Sequence, residues 1–96
     1  MLKIKIEESL KKDIEKAKKS GKYSKEDFEL LKKIIENLEN EREIHSKYKR
    51  HFLKGSMKEY EVIHIKADWL LVFKTEEECL SLIMLGKHTQ VYKKFK

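Results

Sequence analysis

Residues 60–86 read YEVIHIKADWLLVFKTEEECLSLIMLG, and the fold turns on them. Tyr60, Val62 and His64 alternate with Glu61, Ile63 and Ile65, the period of a strand with two unlike faces. Ala67-Asp68 leaves room only for a turn. Trp69-Leu70-Leu71-Val72-Phe73 is apolar at every position, as a central strand covered on both faces is. Thr75 and Glu76-Glu77-Glu78 read as an exposed acidic turn. Residues 79–85 follow as another strand, apolar on both faces, and Gly86 ends it. Connections this short force neighbouring strands to run antiparallel.

Upstream, the pattern changes period. Leu2-Lys3-Ile4-Lys5-Ile6 alternates strictly, a short strand with one buried face. Ser9 then offers an N-cap, and Leu10, Ile14 and Ala17 form one helical stripe that Gly21 terminates. Ser24 starts a second helix, with Glu26 and Asp27 in the first turn, where the helix dipole favours them. Its stripe is Phe28, Leu31, Ile34, Ile35 and Leu38, and residues 39–43 read as its fraying end. Lys54-Gly55-Ser56 is a turn signal. The expectation is a single α+β domain over residues 1–96. It has an N-terminal strand, a helical hairpin, and then an antiparallel sheet with both helices on one face.

Composition sets the class. A chain of 96 residues, 40% of them hydrophobic, is long enough for one small core without metal or disulfide. The single cysteine, Cys79, excludes an internal disulfide, and no secretory leader is apparent; both point to a reducing cytoplasm. No apolar run approaches the ~18 residues of a membrane span. The net charge is +6 and unevenly spread. Residues 44–58 hold five basic and no acidic groups, and residues 79–96 hold four and none, whereas residues 59–78 hold two basic and six acidic. Two positive blocks, each containing histidine, suit a polyanionic partner.

Four histidines, His45, His51, His64 and His88, are the candidates for proton transfer near neutral pH. Each taken alone is more often a surface or packing residue. A zinc site fails on spacing, because there is no paired-cysteine motif and no pair of histidines at helical spacing. A nucleophile elbow and a glycine-rich phosphate loop are also missing, and no cofactor is implied. One chemistry that suits these residue types is metal-independent cleavage of RNA, in which the substrate's own 2′-hydroxyl is the nucleophile. The protein supplies a base, an acid, positive charge near the phosphate and a ring for stacking. His51 lies beside Lys49, Arg50 and Lys54; His88 lies beside Lys87, with Tyr92 four residues on; Asp68 follows His64 by four and is placed to orient it.

The second half carries a resemblance. Tyr48-Lys49-Arg50-His51-Phe52-Leu53-Lys54-Gly55-Ser56, then Tyr60, then His64-Ile65-Lys66-Ala67-Asp68-Trp69-Leu70-Leu71-Val72-Phe73, then Leu85-Gly86-Lys87-His88, resembles the RelE/ParE toxin superfamily in its YafQ-like branch. The resemblance implies a type II toxin that cuts mRNA, typically on the ribosome, and is neutralised by a cognate antitoxin. It places the catalytic residues on His51, His64, Asp68 and His88 and the terminal aromatic on Tyr92. One histidine serves as base and another as acid, without deciding which. Lys49, Arg50, Lys54 and Lys87 are the expected RNA contacts.

The chain also departs from that pattern. Glu61 and Met84 stand where the branch has arginines, Val62 where it has a carboxylate, and Ala67 where it has proline. Glu61 is thus expected to set a negative charge in the phosphate path, with Lys54, Lys58 or Lys87 substituting for the arginines. The alternative function is a weakened or inactive member of the same fold that only binds an antitoxin or another partner.

Overall fold

The computed structural model describes residues 1–55 and 59–94. Ser56, of the expected turn, and Lys58, a candidate cation, lie outside the described residues. The elements are β1 (Lys3–Ile6), α1 (Glu8–Ser20), α2 (Lys25–Glu39), a 3-10 turn (Ser46–Tyr48), β2 (His51–Phe52), β3 (Glu61–Lys66), β4 (Trp69–Glu76), β5 (Cys79–Gly86) and α3 (His88–Lys94). They form one five-stranded sheet of order β1-β5-β4-β3-β2. The all-apolar segment is the central strand, as its two-faced pattern requires.

The α+β arrangement is the expected one, but β1 does not have the expected buried face, since Ile4 and Ile6 are 37% and 46% exposed, and its pairing differs. The β2-β3, β3-β4 and β4-β5 pairs are antiparallel, but β1 pairs with β5 in parallel. Short turns dictate antiparallel pairing only between strands they join, and the whole chain from α1 to β4 separates β1 from β5.

Each face of the sheet has its own apolar cluster. Ile63 and Ile65 of β3, Trp69, Leu71 and Phe73 of β4, and Leu80 and Leu82 of β5 pack under Leu10, Leu31, Ile34 and Leu38 of the helical hairpin. On the opposite face Val62, Leu70, Val72 and Met84 pack with Leu53 and with Val91 of α3. A register shift between Val72 and Phe73 leaves Ile83 as the extra residue of a bulge. This is why Leu82 and Leu85 face the same side although three residues apart. The freed carbonyl of Ile83 accepts the Ser9 hydroxyl at 2.6 Å. Ser9 is therefore not the N-cap of α1: that position is Glu7, which makes no side-chain cap, and the hydroxyl ties α1 to the bulge instead. Ser24 does cap α2, in a reciprocal box with Asp27. Gly21 closes α1 in the left-handed conformation, φ 71°.

Two elements were not expected, β2 and α3. Gly86 permits the second of these. A Cβ there would come within 2.8 Å of Gln90 Oε1, the atom that accepts the Lys87 amide at 2.8 Å and closes the first turn of α3. A missing side chain at Gly86 thus lets α3 fold back over the open face.

Candidate active site

The open face of the sheet, opposite the helical hairpin, gathers the histidines. His51 is on β2, paired with Val62. His64 is two residues further along β3, so it shares the face of Val62. His88 is the first residue of α3. His51 Nε2 lies 3.3 Å from His64 Nε2. The ring centroids of His64 and His88 are 5.1 Å apart. Three imidazoles from three elements, far apart in the chain, thus make one contiguous row. Tyr92, one helical turn beyond His88, stacks on it at 6.2 Å and 15° and is 45% exposed.

Asp68 stands differently from expectation. It pairs with His88, not His64. Its Oδ1 accepts the backbone N–H of His88 at 2.9 Å and the ring Nδ1–H at 2.7 Å. These bonds, the backbone one first, hold the Asp68 carboxyl below its usual range, and the His88 and Lys87 charges add to the effect. The β3-β4 turn carries Asp68 past its own strand, to where α3 begins. The carboxylate accepts Nδ1–H and leaves Nε2 of His88 as the exchanging nitrogen.

Hydrogen-bond chemistry assigns the other two rings. His51 Nδ1 is 3.1 Å from the Phe52 carbonyl, which only accepts, so this nitrogen carries the proton. A neutral His51 then has its lone pair on Nε2, and His64 donates to it. Partial burial pushes His64 below its ordinary value, and the neighbouring His88, His51 and Lys49 charges push the same way. His64 thus resists protonation more than an ordinary histidine does.

The expected RNA contacts divide. Lys49, Lys54 and Lys87 are exposed. Lys49 adopts a left-handed conformation, φ 47°, uncommon for a residue with a Cβ. Arg50 is not a free cation. Its Nε donates to Glu61 Oε1 at 2.8 Å and its Nη2 to Glu61 Oε2 at 3.2 Å, and the guanidinium lies 5.4 Å from the Phe73 ring centroid. Glu61 is only 6% exposed. The expected repulsion of phosphate by Glu61 is thereby corrected, since its charge is met by Arg50. Met84 is likewise no open position for a cation, being buried among Val62, Val72 and Val91. Its neighbourhood shows how this chain differs from an arginine-bearing pattern: the corresponding volume is apolar core. His45 lies apart from the row, its Nδ1 accepting the Lys47 amide at 3.0 Å to cap the 3-10 turn.

The sequence matches, over residues 2–93, the family described as the bacterial toxin of type II toxin-antitoxin systems, YafQ. It is 31% identical over 83 residues to the mRNA interferase toxin YafQ of Escherichia coli (strain K12), covering 76% of this chain and 90% of that protein. A metal-bound toxin from Helicobacter pylori is similar in structure, with a TM-score of 0.83, 35% identity, and 95% and 99% of the two chains covered. The E. coli DinJ-YafQ complex also contains a similar chain, with a TM-score of 0.83, 28% identity, and 96% and 99% covered. With nearly its whole length matched in sequence and its fold matched at this level, the chain belongs to the YafQ family of bacterial type II toxins.

Proposed function

We propose that this chain is an endoribonuclease toxin that cuts mRNA with histidines and without a metal ion. The observation that carries it is the row His51, His64, His88, with Asp68 bonded to His88 and Tyr92 stacked on it. The His51–His64 pair, sharing one proton across 3.3 Å, acts as the base. It takes the proton of the substrate's 2′-hydroxyl, whose oxygen attacks the adjacent phosphorus. His88 donates its Nε2 proton to the departing 5′-oxygen, and Asp68 stabilises the charge on the ring, as a carboxylate does behind a catalytic imidazole. The products are a 2′,3′-cyclic phosphate and a free 5′-hydroxyl. Tyr92, exposed and parallel to His88, is placed to stack a base.

Kinship with a named mRNA interferase and with a toxin crystallised with DinJ supports mRNA as substrate and an antitoxin as partner. On this reading the message is cut on the ribosome, in the cytoplasm, as the motif resemblance implies. One specific observation favours a second reading, a weakened or inactive toxin that retains partner binding. Arg50 is tied to Glu61 and Met84 is buried, so neither position 61 nor position 84 offers the row a guanidinium. Loss of one preorganised charge contact costs on the order of 10²–10³ in rate.

The test is cleavage of mRNA, free and on ribosomes, with EDTA present. Wild type is expected to cut, and His88→Ala to lose on the order of 10²-fold or more. Equal cutting by His88→Ala would overturn the histidine mechanism. An inert wild type that still binds its antitoxin would establish the second reading.

A further inference from the structure

A cleft of about 450 Å³ lies directly beside the histidine row, lined by Lys47, Tyr48 and Lys49 on one side, residues 65–67 on the other, and His64. Its size falls within the ~300–1,000 Å³ of small-ligand sites. Two irregularities of the backbone shape it. A register shift between His64 and Lys66 makes Ile65 the extra residue of a bulge, which turns the end of β3 away from its ladder. On the facing wall Lys49 holds the left-handed conformation that ends the 3-10 turn. Strain of this kind, kept beside a row of titratable groups, points to use of the side chain it aims. The Lys49 charge is close enough to oppose protonation of His64.

The lining sorts by chemistry. Lys66 is occupied by Asp27 at 3.2 Å, which pins the bulge to α2. Lys47 sits over the Tyr48 ring, 5.2 Å from its centroid. Tyr48 is half-buried, packed against the helical side of the core, and a lysine over its remaining face is held more weakly than a stacked base would be. That one face is open to exchange, with the Lys47 ammonium free to move to a phosphate.

We propose that this cleft is a subsite for the nucleotide next to the one cut, its base stacked on Tyr48 and its phosphate held between Lys47 and Lys49. The proposal rests on the reading of the histidine row as an RNA-cleaving site. It adds a second stacking position on the far side of the row from Tyr92, so that RNA would be gripped on both sides of the reacting phosphate.

The probe is a 2′-O-methyl hexanucleotide, which the chain cannot cut, with binding followed by fluorescence anisotropy across a salt series. Tyr48→Leu is expected to weaken binding on the order of tenfold, and Tyr48→Phe to bind near wild type. Lys49→Asn, with a residue that tolerates the left-handed backbone, is expected to keep the fold and lower the salt slope by about 0.7. A 5-iodouridine in the same oligonucleotide should cross-link to Tyr48. Unchanged affinity and slope in Tyr48→Leu and Lys49→Asn, with wild type binding well, would remove the subsite and leave the histidine mechanism standing. Tyr48-dependent binding by a chain that never cleaves would support the subsite while removing the nuclease reading. No binding of the hexanucleotide by wild type would overturn the subsite.

Discussion

His64 is the residue on which the proton balance of the site turns, because it lies between two other imidazoles with Lys49 nearby. Burial and those charges keep it below its ordinary 6.5. The unfolded chain therefore binds a proton at a pH where the folded chain does not. Stability from this group is full above pH 6.5 and declines as pH falls from there toward the lower folded value. We expect the melting temperature of wild type to drop more than that of His64→Gln on acidification from about pH 7.5 to 5.5, the interval in which an ordinary histidine titrates. Equal losses would mean that the row is not the source of the acid sensitivity. Asp68 is lowered too, by its bonds to His88, and contributes stability that is lost only as pH falls through its lowered value, well below this interval. Its role in chemistry is separable. Asp68→Asn still accepts the His88 amide but loses the negative charge behind the ring, so kcat should fall on the order of 10²-fold, with only a small loss of melting temperature because the lost ion pair is exposed.

At the scale of elements, the site is built by the two pieces hardest to foresee. The sheet, the hairpin, the cap at Ser24 and the central strand all follow from periodicity in long segments. β2 is two residues, and α3 is seven with a single buried side chain, Val91; neither contains enough of a period to read. The candidate residues that the structure gathers, His51, His64, Asp68, His88 and Tyr92, are nevertheless visible through ordered motif positions, whereas their partners are not. Asp68 was assigned to His64 because the two are near in sequence, whereas the turn delivers it to α3. The Arg50–Glu61 pair was hidden for the same reason: it spans β2 and β3, and only the register His51↔Val62 and Phe52↔Glu61 brings the two side chains together. Its consequence reverses an expectation. From sequence, Glu61→Arg and Met84→Arg restore cations and raise activity. In the structure, Glu61→Arg sets a second cation against Arg50, and Met84→Arg forces a charge into an apolar cluster. Both are expected to destabilise the fold, by about 1–3 kcal/mol for overpacking or a lost charged hydrogen bond, as measured by urea unfolding. A stable and more active Met84→Arg would show that the side chain escapes to the surface at α3.

For the molecule as a whole, the net charge of +6 matters less than where uncompensated charge remains. The second positive block reaches the site through Lys87, beside His88, and the first through Lys49, which influences His64. Arg50, in the middle of that first block, contributes almost nothing to the outer field, because Glu61 accepts both of its bonds. Charge counted along the chain and charge presented to a polyanion therefore differ. For single-stranded nucleic acid, log affinity falls with log salt by about 0.7 for each phosphate neutralised. Lys49→Asn and Lys87→Ala should each lower that slope by about this amount, with little change between RNA sequences, as contacts to the backbone do. Arg50→Ala should leave the slope nearly unchanged and lower stability instead, since it strands the buried Glu61 carboxylate. Titration of one oligonucleotide at several salt concentrations, with melting curves for each variant, separates the two kinds of cation. A slope that falls as far in Arg50→Ala as in Lys87→Ala would mean that Arg50 leaves Glu61 when RNA arrives. In that case Glu61 would hold the guanidinium only until a phosphate takes its place.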